Sequence, residues 1–146
     1  LGLRLGKLTE AVCSDPYETV HYIDELNKVA GERLFGFCLD VGHATLLGKD
    51  LYRFISILGD RLQVLHVHDN NGLQDEHLFP YMGITNWDRF CRALGEYNYQ
   101  GTLSFETFNA LETFDNALAP QLLALLGATG KLLAERIDAA RKKESN

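Results

Sequence analysis

Leu62-Gln63-Val64-Leu65-His66-Val67-His68-Asp69-Asn70 holds a short apolar run, Leu62 to Val67, that closes on two imidazoles, a carboxylate and an amide. Such a run suits a strand. Two other runs share the plan. Leu34-Phe35-Gly36-Phe37-Cys38-Leu39 ends abruptly at Asp40, with His43 just beyond, and Thr102-Leu103-Ser104-Phe105 ends at Glu106. Continuous apolar runs suit strands covered on both faces, as in a parallel sheet.

Helical patterns separate the runs. Asp15-Pro16-Tyr17-Glu18 has the form of a helix start, with Asp15 as N-cap and Glu18 as its capping-box partner. Tyr22, Ile23, Leu26 and Val29 then give an apolar face, which Gly31 ends. Leu51, Phe54, Ile55 and Leu58 mark a helix closed by Gly59. After a polar loop, Asn86 caps a third helix with Trp87, Phe90, Cys91 and Leu94 at helical spacing. A leucine-rich stretch from about Pro120 to Ala140 follows, interrupted around Gly127 and Gly130, and a charged, frayed tail closes the chain. Helix and strand alternate, which implies an α/β fold of parallel strands joined by helical crossovers. About three parallel strands with flanking helices are expected, forming part of a (β/α)8 barrel in one domain over residues 1–146.

Composition narrows the function. The 146 residues are 46% hydrophobic, enough for one core, and carry a net charge of −6. An acidic chain argues against a nucleic-acid surface. No apolar run approaches the ~20 residues of a membrane helix, and there is no basic-then-apolar leader. Cys13, Cys38 and Cys91 are odd in number and form no C-x-x-C pair, so neither a disulfide framework nor a thiolate zinc site is indicated. Cys38 and Cys91 are expected in the core, in a protein of the reducing cytoplasm. Leu1 in place of Met suggests sequence upstream.

In a (β/α)8 barrel, functional groups gather at the carboxyl ends of several strands. Asp40 and His43, His66 and His68, and Glu106 occupy those ends on three consecutive strands. Carboxylates and imidazoles together suit a divalent ion such as Mn²⁺, Co²⁺, Mg²⁺ or Zn²⁺. Each residue also has a plainer use. Asp40 is a natural turn cap, lone histidines are more often structural, and His77 reads as a surface-loop residue. Glu106 is harder to dismiss, because a charge closing an apolar strand needs a partner or solvent.

Taken in order, Cys38-Leu39-Asp40-Val41-Gly42-His43, Val64-Leu65-His66-Val67-His68-Asp69-Asn70, Asp75-Glu76-His77-Leu78-Phe79-Pro80-Tyr81-Met82-Gly83, Trp87 and Leu103-Ser104-Phe105-Glu106 resemble the xylose isomerase-like barrel superfamily. That superfamily holds sugar phosphate isomerases and epimerases and shares its fold with endonuclease IV. The resemblance, from about Asp15 through Glu106, implies Asp40, His66 and Glu106 as metal ligands. It implies His43 as a contact to substrate or to a second metal, and His77, with Asp75, in a loop over the site. His68 falls where relatives often carry lysine or another polar residue, and is grouped with His43 and His77 on the substrate side. Gly83 and Trp87 correspond to the turn and helix entry behind the loop.

The family's fourth ligand is a glutamate on a strand before the first helix. Glu10 is the nearest carboxylate there, but no apolar strand precedes it, so it reads as a loop residue. Against the ~250 residues of a complete barrel, the expectation is a truncated C-terminal part. The implied reaction is isomerisation or epimerisation of a sugar or sugar phosphate. Glu106 acts as one member of the catalytic acid/base pair, and the chain alone is impaired. Two rivals stand beside it: an endonuclease IV-like zinc phosphodiesterase, and an inactive fragment whose open strand edges are covered by a homodimer or by a missing upstream half.

Overall fold

The computed structural model describes residues 2–4 and 7–144. An antiparallel pair, β1 (Gly2–Arg4) and β2 (Lys7–Thr9), leads into helix α1 (Pro16–Ala30). There follow strand β3 (Phe37–Asp40), helices α2 (Val41–Leu46) and α3 (Leu51–Leu58), and strand β4 (Leu62–Val67). Helix α4 (Trp87–Glu96), strand β5 (Leu103–Phe105), a short helix α5 (Phe108–Glu112) and the long helix α6 (Ala119–Glu144) complete the order. The sheet β3-β4-β5 is parallel throughout, so the expected α/β arrangement of three parallel strands with flanking helices is observed.

The caps are where side-chain chemistry places them. The Asp15 carboxylate accepts the backbone N–H groups of Tyr17 and Glu18, and Gly31 closes α1 in the left-handed conformation at φ 75°. Asp50 caps α3 and Asn86 caps α4, the latter accepting from the Arg89 N–H at 3.0 Å. One side of the sheet is the core. Leu39, Leu65 and Val67 point to it and pack with Phe54, Ile55 and Leu58 of α3, Phe90 and Leu94 of α4, and Leu133 and Ile137 of α6.

Several expectations are corrected. Strand β3 begins at Phe37 rather than Leu34, because the Asn27 side chain on α1 accepts from the N–H groups of Leu34 and Phe35 and donates to the Phe35 carbonyl. Those backbone groups are satisfied off the sheet, and Leu34 is exposed. Among the described residues the strands are covered mainly on one face. Along β4 the inner face stays open, with Val64 42% exposed, while Leu65 is fully buried. For the same reason Cys38 is exposed, whereas Cys91 is buried as expected. Most of the apolar face foreseen on α1 is also open. Ile23 is buried, but Tyr22, Leu26 and Val29 are exposed.

Helix α6 runs without interruption through Gly127 and Gly130 to Glu144, so most of the expected charged, frayed tail is helical, and residues 145–146 lie outside the described ones. Two glycines cost about 1 kcal/mol each against alanine, too little to stop a helix rich in Ala and Leu. Gly130 also lets α6 approach the Phe105 ring. Asn116–Arg141 includes a stretch long and apolar enough to cross a membrane by length and composition, contrary to the expectation of no such run. Only 6% of that stretch is buried, and α6 docks on α4 through Leu133 and Ile137. Finally, a strand does precede Glu10. It is β2, paired with β1 and not with the parallel sheet, and Glu10 forms an ion pair with Lys49.

Candidate metal centre

The parallel register aligns Asp40 with His66 and His66 with Ser104. Side chains two apart on a strand share a face, so Cys38 and Asp40, His66 and His68, and Ser104 and Glu106 all belong to the inner face. The Glu106 N–H donates to the Val67 carbonyl at 3.1 Å, carrying the ladder one residue past β5 and fixing where the carboxylate leaves the strand. Ligand atoms of Asp40, His66 and Glu106 lie within 4.8 Å of one another. His66 Nδ1 stands 3.0 Å from Glu106 Oε1. All three side chains are partly exposed, so the group is reachable from solvent.

A second group stands beside it. Ligand atoms of His43, His68, Asp75 and His77 also lie within 4.8 Å of one another. His43 contacts Asp40 through Nδ1 at 3.1 Å and Asp75 through Nε2 at 2.9 Å. His77 Nε2 is 3.5 Å from Asp75, and its Nδ1 pairs with the Glu106 carbonyl at 2.8 Å. His77 stacks on His68 at 3.9 Å and on Phe108 at 4.9 Å.

His68 is completely buried. Its Nε2 lies 2.9 Å from Asp40 Oδ1, and its Nδ1 has no hydrogen-bond partner among the described residues, the nearest acid oxygen being Asp75 Oδ1 at 3.9 Å. The ring fills the space a side chain on Gly42 would need: a Cβ there would meet it at 2.0 Å. Burial pushes the Asp40 carboxyl up, but hydrogen bonds from His68 and the His43 backbone N–H, with the charge of both rings, outweigh it and hold Asp40 below its ordinary value. Burial likewise pushes the His68 imidazole down, yet the Asp40 hydrogen bond and charge raise it overall.

The site residues read from the sequence thus fall into two adjoining groups rather than one. Asp40, His66 and Glu106 form the first; His43, His68 and His77 form the second with Asp75. Asp40 is also the N-cap of α2, accepting from His43 N–H at 2.8 Å, so its plainer use is realised as well. Glu10 belongs to neither group. Phe108 against His77 and the buried carboxylate of Asp69 were not foreseen from the sequence, although Asp69 stands in an H-x-x-D-N motif. A cavity of about 170 Å³ adjoins Asp40 and His43, and a larger one of about 570 Å³ between α4 and α6 shares no residue with either group.

The donor atoms are carboxylate oxygens and imidazole nitrogens, with no thiolate in either group. That chemistry fits Mn²⁺, Co²⁺ or Zn²⁺ and is compatible with Mg²⁺.

Comparison with known proteins bears on the family and the fold. Residues 6–128 match the family model described as xylose isomerase-like TIM barrel. An uncharacterized protein of Sinorhizobium fredii, y4fM, is 40% identical over 72 residues, covering 49% of this chain and 23% of that protein. A ketose 3-epimerase of Arthrobacter globiformis is 25% identical over 118 residues, covering 81% of this chain and 36% of the enzyme. A crystal structure of a D-tagatose 3-epimerase-like protein superimposes with a TM-score of 0.67 at 21% identity, over 94% of this chain and 46% of that one. This last likeness concerns the fold. The matches span less than half the length of these relatives. With three parallel strands, acidic and imidazole groups at their carboxyl ends and a family match over most of its length, the chain belongs to the xylose isomerase-like TIM-barrel family.

Proposed function

We propose that this chain is the metal-binding part of a divalent-metal-dependent sugar isomerase or epimerase. The observation that carries the reading is the convergence of Asp40, His66 and Glu106 from three adjacent strands on one solvent-reachable spot. These residues would hold the metal. When bound, it would polarise the substrate's carbonyl and stabilise the charge of an enediolate.

The chain's own residues then act around that spot. Glu106 is the base that takes the proton from the carbon beside the carbonyl. Its contact with His66 Nδ1 keeps the carboxylate turned to the inner face. His43, His68 and His77 provide the polar side on which substrate hydroxyls bind, and Phe108 adds an apolar wall. Net turnover needs a second acid/base. Asp40 and Asp75 are already engaged by histidines, and Glu10 by Lys49. The chain is therefore expected to abstract a proton more readily than to complete an epimerisation. The substrate is a small sugar or sugar phosphate and the compartment the cytoplasm, with a homodimer or an upstream half covering the open strand edges.

Incubation with a panel of ketoses and ketose phosphates in D₂O with Mn²⁺ tests the reading by NMR. Deuterium should enter the carbon beside the carbonyl, and Glu106→Gln should slow this by at least 100-fold, the order of a general base's contribution. No exchange in any sugar by the metal-saturated chain, or equal exchange in the variant, would overturn it. The group His43, His68, Asp75 and His77 favours a second reading, a multi-zinc phosphodiesterase. Hydrolysis of a phosphodiester by the Zn²⁺-loaded chain, without sugar exchange, would select it.

A further inference from the structure

Asp69 follows β4 and carries a completely buried carboxylate that, among the described residues, pairs with no cationic side chain. Five N–H groups satisfy it instead. Oδ1 accepts from Asn70 at 2.9 Å and Thr85 at 3.1 Å. Oδ2 accepts from Tyr81 at 3.2 Å, Gly83 at 3.0 Å and the Trp87 indole at 3.0 Å. The Asp69 backbone also exchanges two hydrogen bonds of 2.9 Å with Leu78. Three of the five donors, Tyr81, Gly83 and Thr85, and the Leu78 bridge come from the returning half of the loop that carries Asp75 and His77, and Trp87 opens α4 just behind it. The outgoing half is held by its neighbours: Asn70 Oδ1 accepts from Gly72, and Asn71 Oδ1 accepts from Leu73 and Gln74.

The loop needs that anchorage. His77 and Tyr81 sit at φ 50° and 76°, in the left-handed region that side chains other than glycine rarely adopt. Gly83 passes so close that a Cβ would meet the Asn70 carbonyl at 2.1 Å and Asp69 Oδ1 at 2.4 Å. Only a group with acceptors alone can serve five donors at once, and an ionised carboxylate is such a group.

We propose that Asp69 is a positioning residue whose carboxylate fixes this loop so that Asp75 and His77 stand beside the Asp40, His66 and Glu106 group. The proposal rests on the metal-site reading only for the use made of those side chains. Asp69→Asn is close to isosteric, but its amide must turn N–H groups against N–H donors, so the loop loses its anchor while the sheet keeps its residues.

The test compares wild type and Asp69→Asn at 10 °C, with folding checked by circular dichroism. It uses the histidine ring resonances, amide hydrogen exchange and Zn²⁺ titration. The variant is expected to shift the His77 resonances and to speed exchange at Tyr81, Gly83 and Thr85 well beyond Leu65 and Val67 in β4. It should also weaken Zn²⁺ binding about 10- to 100-fold, the usual effect of removing support behind a metal ligand. A purely structural Asp69 would lower the melting temperature yet leave the ring signals, the exchange pattern and the Zn²⁺ affinity of the folded variant unchanged, which overturns the proposal. If Asp69→Asn does not fold, Trp87→Phe removes one of the five donors and must move the same signals in the same direction. If wild type binds no Zn²⁺, the metal reading fails, and the ring and exchange data still decide for or against Asp69.

Discussion

Gly42→Ala is expected to disable the site from behind. The added Cβ would lie 2.0, 2.3 and 2.5 Å from Cε1, Nδ1 and Nε2 of His68. Neither side yields easily. The Gly42 carbonyl is held by the Asn70 amide at 2.7 Å, and the His68 ring is confined between His77 and Asp40. Overpacking of this kind costs about 1–3 kcal/mol, and displacing His68 also breaks its contact with a partly buried carboxylate. Urea titration should show a loss of about 3 kcal/mol in stability, and Mn²⁺ affinity should fall at least ~10-fold as Asp40 loses its support.

The loss should depend on pH. Asp40 has a folded pKa below its ordinary value of 3.8, so its contribution is present above that value and disappears as pH falls through the folded one. His68 has a raised pKa, so its contribution is complete below the ordinary 6.5 and fades as pH rises through the folded value. The difference between wild type and variant should therefore be largest between these two ordinary values and shrink on either side. A Gly42→Ala protein as stable as wild type, with the same metal affinity, would show that the His68 ring is not packed between Gly42 and Asp40.

Phe90→Ala is expected to have the largest effect on stability. The ring is wholly buried and meets Trp87 edge-on, with centroids 5.4 Å apart. Removing a buried phenylalanine costs about 3–5 kcal/mol, a large part of the roughly 5–15 kcal/mol that typically holds a domain together. The core here lies on one face of the sheet, so it has little reserve. The cavity would also loosen Trp87, whose indole N–H reaches Asp69 and hence the loop. Urea unfolding followed by circular dichroism should show the loss or a chain already unfolded. A shift below about 1 kcal/mol would mean that α4 does not pack on the sheet as described.

Local chemistry explains what could be read from the sequence. Asp15 and Gly31 mark both ends of α1, Asn86 marks the start of α4, and the apolar run Leu62 to Val67 is β4 without a residue's difference. Each is decided by neighbours in the chain. The start of β3 is not, because Asn27 captures the backbone of Leu34 and Phe35 from another element. Nor is the exposure of Cys38, since an apolar pattern gives a strand but not what covers its inner face. Helix α2 was hidden because one Asp40 carboxylate both caps a helix and faces the site.

The site shows the same division. Asp40, His43, His66, His68 and Glu106 were legible as one cluster because strand ends in a parallel sheet converge, and Asp40, His66 and Glu106 as a ligand set only through the family resemblance. The second group was not, because Asp75 and His77 reach His43 and His68 on a loop whose returning half hydrogen-bonds to Asp69.

The most direct measurement is the metal content of the chain, purified without chelator or histidine tag, by elemental mass spectrometry beside Asp40→Ala/Glu106→Ala. Near-stoichiometric Mn, Co or Zn is expected in wild type, and its loss in the double variant. No metal in wild type even after addition of Mn²⁺, or equal metal in both proteins, would contradict a metal centre built on Asp40, His66 and Glu106.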